Sequence, residues 1–258
     1  MLDFPDSPVD GQASAQPNGL TYYWSAAKTR WDATILGAAG SPLCKQTTVE
    51  ADTVFALDIR CVFLRVWLTG GGGGGGGIAC QVGEGAQSRP GSGGATAIWW
   101  GVPDGDMTIV IGAGGLKGAA GNNDGLDGED STLLSAGSLI NLVGGGGLLG
   151  RGSAGNNSSS NRIAVAGGVA TGGKTNIPGG DADSGAIIIT SPVTNASSGG
   201  SWWGVGRHMY RNNGCPDNGV AHAGIGGMAN SIRREAVNRS GGGGGQGLCV
   251  IEEWLSIT

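Results

Sequence analysis

The chain has 258 residues, of which 56 are glycine, and its net charge is −5. A glycine share about three times the usual one, without a G-X-Y repeat, excludes collagen, and 39% hydrophobic against 14% charged residues disfavours intrinsic disorder. The acidic balance argues against nucleic acid as the main partner, because phosphate binding requires a basic surface.

The first 33 residues predict a small module of their own. A lead rich in Pro and Asp is followed by T-Y-Y-W at 21–24, a turn-like S-A-A-K-T and R-W at 30–31. This pattern indicates a short β-hairpin. We therefore divide the chain into an N-terminal module, residues 1–33, and a glycine-rich β domain, residues 34–258.

From residue 34 onward, short β-like runs alternate with glycine. Several runs are rich in β-branched residues and are too short for helices. They cover residues 56–68, 108–111, 139–143, 162–166, 186–190 and 248–254. Only the window 227–239 has an apolar face at helical spacing. The predicted fold class is all-β, a glycine-rich β-sandwich-like domain with polyglycine tracts, preceded by a small hairpin module.

The glycine tracts lie at strand ends, and the longest is the run of eight from Gly70 to Gly77. Ordering each glycine backbone costs roughly 1 to 2 kcal/mol, which no side chain offsets. Such a run is either a loose linker or a backbone held by its surroundings. Polyglycine can form a helix of three residues per turn without internal hydrogen bonds. Since buried N–H and C=O groups must be paired, the tracts are predicted to bond sideways to one another.

The quartet W-W-G-V occurs twice, at 99–102 and at 202–205. Neighbouring side chains on a strand point to opposite faces. Each pair is therefore predicted to supply one inward anchor and one outward ring.

Two patterns imitate ligand sites. The run G-V-A-T-G-G-K-T at 168–175 fits the spacing of a phosphate-binding loop, but N-I-P-G-G follows it and cannot begin the helix that such a loop needs. The acidic stretch 121–131 does not have the ligand order of a calcium-binding EF-hand and is typical of turns. We expect no cofactor and no metal site.

One stretch invites a binding role. The candidate receptor-binding residues are Trp202, Trp203, Arg207, His208, Tyr210 and Arg211, with Trp99 and Trp100 as a second pair. Aromatic faces and arginine forks suit sugars and anionic groups. The alternative is that the tryptophans are core anchors and the arginines a solvated face. No G-x-S-x-G elbow is found, so nothing in the sequence supports a hydrolytic triad.

Several stretches together carry a resemblance to a known family. They are V-F-L-R-V-W-L-T before the eight glycines, M-T-I-V-I-G-A-G-G, D-S-T-L-L and the closing G-G-G-G-G-Q-G-L-C-V-I-E-E-W. They resemble the glycine-rich domain of bacteriophage tail fibres and related virion proteins. The start, with F-P-D-S-P-V-D-G-Q and P-N-G-L-T-Y-Y-W, resembles a short module that begins many phage tail and fibre proteins. The composition is also similar to that of polyglycine-sandwich adhesins at fibre tips.

The resemblance implies a virion protein, a homotrimer at a fibre or tail tip, that binds a host surface glycan or outer-membrane protein. The N-terminal module would attach it to other virion proteins. Five scattered cysteines without a C-x-x-C pair agree with synthesis in the reducing host cytoplasm. No apolar stretch approaches a membrane-spanning length, so we expect no membrane insertion. One alternative is a head-decoration or tail-assembly protein without receptor contact. A surface-polysaccharide depolymerase ranks below it, and we expect that the chain is not an enzyme.

Overall fold

The computed structural model of the chain describes residues 9–10, 12–15, 21–25, 30–34, 43–155, 164–183, 196–204, 208–209, 223–227, 231–233 and 236–256. All regular elements in these ranges are β-strands, so the protein is all-β, as predicted. The same ranges hold no helix of the length and apolar character needed to cross a membrane.

The described strands follow one another in short lengths of two to nine residues. In chain order they are β1 (Ala13–Ala15), β2 (Thr21–Ser25), β3 (Arg30–Thr34), β4 (Leu43–Val49), β5 (Thr53–Phe55), β6 (Cys61–Thr69), β7 (Ile78–Cys80), β8 (Gly85–Gln87), β9 (Thr96–Gly101), β10 (Met107–Val110), β11 (Ser131–Ser135), β12 (Asn141–Gly144), β13 (Ser153–Ala154), β14 (Ala164–Val165), β15 (Thr175–Ile177), β16 (Ala182–Asp183), β17 (Ala196–Ser197), β18 (His208–Met209), β19 (Ser231–Arg233), β20 (Val237–Arg239) and β21 (Leu248–Leu255).

Two antiparallel sheets pack face to face as a sandwich. The first has the strand order β15-β9-β6-β21-β4 and the second the order β12-β11-β10-β5. Along β6, Leu64, Val66 and Leu68 are fully buried while the residues between them are less buried, which is the period of two expected of a strand with one core face. Met107 and Ile109 of β10 fill the same core from the opposite sheet.

The N-terminal hairpin is confirmed, because β2 pairs antiparallel with β3 and Trp24 stands opposite Trp31. With β1 these strands form a separate three-stranded sheet. The remaining described sheets are small, with the orders β13-β7-β20, β14-β16-β17-β18 and β19-β8.

Three predicted segments have different outcomes. The run 56–68 becomes a strand only from Cys61, because a turn precedes it, in which the Cys61 N–H donates to the Asp58 carbonyl at 2.8 Å. Hydrogen bonds from the side chain and backbone of Arg60 lower the pKa of Asp58 in this turn to about 2. The window 227–239 contains β19 and β20 among its described residues. The run 186–190 lies outside the described residues.

Six strands of the sandwich are continuous with glycine segments, all at the same end of the two sheets. β6, β10 and β12 end where segments 70–77, 112–121 and 144–153 start or overlap. β9, β11 and β21 begin where segments 88–95, 123–130 and 241–247 finish. Because neighbouring strands are antiparallel, the end of one strand lies beside the start of the next. The glycine segments therefore form a second body at one end of the sandwich.

Candidate functional site

We call the second body the glycine bundle; it consists of segments 70–77, 88–95, 112–121, 123–130, 144–153, 224–227 and 241–247. Its central segment, 70–77, is buried at every position. All eight of its N–H groups donate to other segments at 2.8 to 3.0 Å. The acceptors repeat every three residues: Ala95, Ser92 and Arg89 for Gly70, Gly73 and Gly76; Glu129, Leu126 and Asn123 for Gly71, Gly74 and Gly77; Gly245 and Gly242 for Gly72 and Gly75.

The carbonyl groups of the central segment point to three further neighbours. Gly71, Gly74 and Gly77 accept from segment 144–153, at Gly147, Gly150 and Ser153. Gly72 and Gly75 accept from Gly115 and Gly118, and Gly73 accepts from Gly227. Along segments 88–95, 123–130 and 241–247 the acceptor numbers fall as the central segment advances, so its N–H groups donate to antiparallel segments. Along segments 144–153 and 112–121 the donor numbers rise, so its C=O groups there accept from parallel segments. A period of three without internal bonds is that of a polyproline-II-type helix, and the prediction of sideways bonding is confirmed.

The packing of the bundle leaves no room for side chains at its centre. A Cβ atom added at Gly74 would lie against the Leu116 carbonyl, closer than real Cβ atoms approach any heavy atom. A Cβ at Gly73 would meet the Leu148 carbonyl in the same way. Gly243, near the bundle surface, is different, because its nearest contact would be the Gly115 oxygen at an ordinary 3.9 Å.

Outer segments of the bundle have room for side chains between their inward-facing positions. In segment 112–121 the buried positions are Gly112, Gly115 and Gly118, each three residues from the next. Leu116, between them, is 67% exposed. The sequence signal of this outer segment is therefore glycine at every third position.

The acidic stretch that imitated a calcium loop is a ladder between two segments of the bundle. Its three aspartates stand three residues apart, and each accepts a backbone N–H of segment 144–153. The pairs are Asp124 Oδ1 with Gly152 at 2.7 Å, Asp127 Oδ1 with Leu149 at 2.6 Å and Asp130 Oδ1 with Gly146 at 2.7 Å. Glu129 accepts from Ala113 at 3.3 Å. Across the described chain, no three His, Cys, Asp or Glu side chains are grouped so as to hold a metal.

The predicted receptor patch is described only in part. Trp202 is 51% exposed, in a turn closed by the Ser201–Gly204 bridge. Trp203 is partly buried, and its Nε1 donates to the Thr69 hydroxyl at 2.8 Å, which anchors it to β6. His208 is described only as backbone, in β18. Arg207, Tyr210 and Arg211 lie outside the described residues.

The other tryptophan pair divides between the two faces of its sheet. Trp99 belongs to the sandwich core and is 6% exposed, whereas Trp100 is partly buried on the outer face. The Lys174 ammonium, from the run that imitated a phosphate loop, lies 5.4 Å from the Trp99 ring and 5.6 Å from the Trp100 ring. β15 follows Lys174 where a phosphate loop would need a helix.

Strand register places Trp100 in a larger cluster that the sequence analysis missed. Arg65 on β6 stands opposite Trp100 on β9 and opposite Glu252 on β21. The alternation F-L-R-V-W at 63–67 was the available signal. We name this cluster the aromatic platform, and its members are Phe63, Arg65, Trp67, Trp100, Glu252 and Trp254.

Arg65 is the centre of the aromatic platform. Its Cζ lies 5.4 Å from the Trp67 ring and 5.4 Å from the Trp254 ring, which are cation–π distances. Phe63 packs edge-on against Trp254, with centroids 5.2 Å apart. The arginine side chain is 43% exposed, and its Nη1 is 3.7 Å from Glu252 Oε2. The platform therefore presents a cation framed by rings to the outside of the sheet.

Comparison with known proteins identifies the sandwich and the glycine bundle together as one recognised type of domain. A family model for a glycine-rich domain matches residues 47–253, about four fifths of the chain. The match takes in the sandwich and the glycine bundle and leaves out the N-terminal hairpin. No curated protein matches the sequence.

Proposed function

This chain belongs to the glycine-rich domain family. We propose that it is a structural protein of a bacteriophage virion, a tail fibre or fibre-tip adhesin that binds a receptor on the host surface. The hairpin module, residues 1–33, would join it to other virion proteins, and a homotrimer is the expected assembly. The sequence resemblance to tail-fibre domains supports this proposal.

The glycine bundle is the observation that carries the proposal. A particle that waits outside the cell needs a body that stays folded without disulfides, and the described cysteines are free thiols. In the central segment every N–H is bonded and buried, so neither water nor a protease reaches an open backbone there. The outer segments hold their side chains and turns at fixed positions, as a receptor-binding protein requires.

Trp202 is the described residue best placed for receptor contact. It combines a large aromatic surface with 51% exposure, whereas its neighbour Trp203 serves as an anchor through Thr69. Exposed aromatic residues are typical centres of binding energy.

The test is competition for adsorption. Purified chain in excess should block the parent phage from adsorbing to its host, and antibody to the chain should label the tail in electron micrographs. Trp202→Ala should weaken the block by about thirtyfold, since truncation of a central aromatic costs about 2 kcal/mol or more.

The matched control is Val82→Ala, which shortens another exposed side chain, 79% exposed, in the turn after β7. It should block adsorption as the unaltered chain does. If the antibody labels the virion but the purified chain never blocks adsorption, the receptor role is overturned. A head-decoration or tail-assembly component is then favoured.

A further inference from the structure

We propose that the aromatic platform is a binding site for a carboxylate-bearing sugar, with the Arg65 guanidinium receiving the carboxylate. The site is separate from the turn that carries Trp202. The identity of its natural source, a glycan of the bacterial surface, rests on the proposed function above. The binding chemistry itself rests only on the described residues.

The rings of the platform match the apolar face of a sugar. A pyranose presents C–H groups on its flat sides and hydroxyl groups at its rim. Trp100, Trp67 and Trp254 lie on the adjacent strands β9, β6 and β21, and all three are partly exposed on the same face. Adjacent strands are about 4.8 Å apart, so the rings from β9 to β21 are spread over about 10 Å across the sheet, with Arg65 between Trp67 and Trp254. Such a surface buries C–H groups while leaving the hydroxyl rim to polar neighbours.

The Arg65 guanidinium has donors to spare. In the described chain its N–H groups donate no hydrogen bond, and the 3.7 Å separation from Glu252 is beyond hydrogen-bond range. Two tryptophan rings hold the planar group in place, at 5.4 Å each. A fork that is oriented, 43% exposed and not used by protein acceptors suits a carboxylate, which it binds through two parallel N–H···O bonds.

The charges of the platform favour an acidic sugar over a neutral one. Arg65 is the cation and Glu252 the anion of the platform, and Lys174, beside Trp100, adds a second cation at its edge. Lys45, on the neighbouring β4, pairs with the buried Glu253 at 3.1 Å and so contributes little. This local excess of positive charge stands out on a chain of net charge −5. Charge complementarity of this kind selects ligands and excludes wrong ones.

The experiment measures binding of the purified full chain to paired saccharides by calorimetry. The acidic probes are oligogalacturonate, hyaluronan oligosaccharide and sialyllactose. Their neutral counterparts are methyl-esterified oligogalacturonate, carboxyl-reduced hyaluronan oligosaccharide and lactose. At least one acidic probe should bind, and its neutral counterpart should bind about tenfold more weakly or worse, because a charge-assisted bond is lost. No binding by any acidic probe, or equal binding by its counterpart, would overturn the proposal.

Three variants separate recognition from folding. Arg65→Met keeps the stem against the rings and should lose about tenfold or more in affinity for the acidic probe. Lys174→Gln should lose less affinity for the acidic probe than Arg65→Met does. Glu252→Gln removes the competing anion and should strengthen binding by up to about fivefold. A merely structural arginine would not give opposite signs for Arg65→Met and Glu252→Gln, and thermal unfolding of each variant confirms that it is folded.

The two proposals can fail separately. The calorimetric assay uses neither virions nor cells, so a failed adsorption test leaves the proposal of a sugar site on the platform intact. An adsorption block that depends on Trp202 and not on Arg65, with no selectivity for acidic sugars, would retain the adhesin and remove the platform site.

Discussion

At the scale of single residues, the glycine bundle depends on the absence of a Cβ atom at defined places. Gly74→Ala would drive a methyl group into the Leu116 carbonyl, which belongs to a backbone that cannot swing aside. We expect a loss of about 3 kcal/mol or more in the free energy of unfolding, at or above the upper range for overpacking. Chemical denaturation of the variant checks this value.

Gly243→Ala is the matched control within the same bundle. Its added methyl group would have only the Gly115 oxygen at 3.9 Å as a neighbour. Because alanine restricts the unfolded chain, this variant should be unchanged or more stable by about 0.4 to 1 kcal/mol. Equal losses in the two variants would show that close backbone approach is not what requires glycine.

Cysteine reactivity is a second residue-scale prediction. Complete burial raises the pKa of the Cys249 thiol far above its ordinary value, so the reactive thiolate is absent at neutral pH. Cys44 is exposed on β4. Iodoacetamide at pH 8 should label Cys44 in the folded protein and Cys249 only after unfolding, as followed by peptide mass spectrometry. Rapid labelling of Cys249 under native conditions would contradict its place in the core.

At the scale of elements, central and outer segments of the bundle should differ in hydrogen exchange. All N–H groups of segment 70–77 are bonded, whereas Gly115 and Gly118 of segment 112–121 donate to the central segment and Leu116 between them has no acceptor in the described structure. Residue-resolved exchange by NMR should show continuous protection in the first segment and, in the second, protection at Gly112, Gly115, Gly118 and Gly121, with weaker protection at Ala113. Uniform exchange along segment 112–121 would argue against the threefold arrangement.

The sequence predicted the elements better than their partners. Glycine runs at strand ends indicated sideways bonding, and the apolar runs located β6, β10, β12 and β21 to within a few residues. β15, with the polar sequence T-N-I, carried no such signal. Glycine has no side chain with which to specify a neighbour, so the six segments around 70–77 could not be assigned. The aromatic platform was missed for a different reason: it requires the strand order β9-β6-β21, which only the folded sheet reveals.

At the scale of the whole molecule, the sandwich and the glycine bundle share six continuous chain segments and should unfold together. Amide signals of β6 report the sandwich, and amide signals of 70–77 report the bundle. The two should give coincident denaturation curves, in the unaltered chain and in Gly74→Ala alike, because no linker separates the bodies. Two separate transitions would show that the bundle is an independent unit.

The threefold repeat of neighbours around segment 70–77 restricts how such a protein can change in length. One inserted residue would turn every later amide by about 120° and present it to the wrong neighbour. Viable insertions and deletions must therefore come in multiples of three, matched in the adjoining segments. Lineages of this body should differ by whole helical turns, added or removed together.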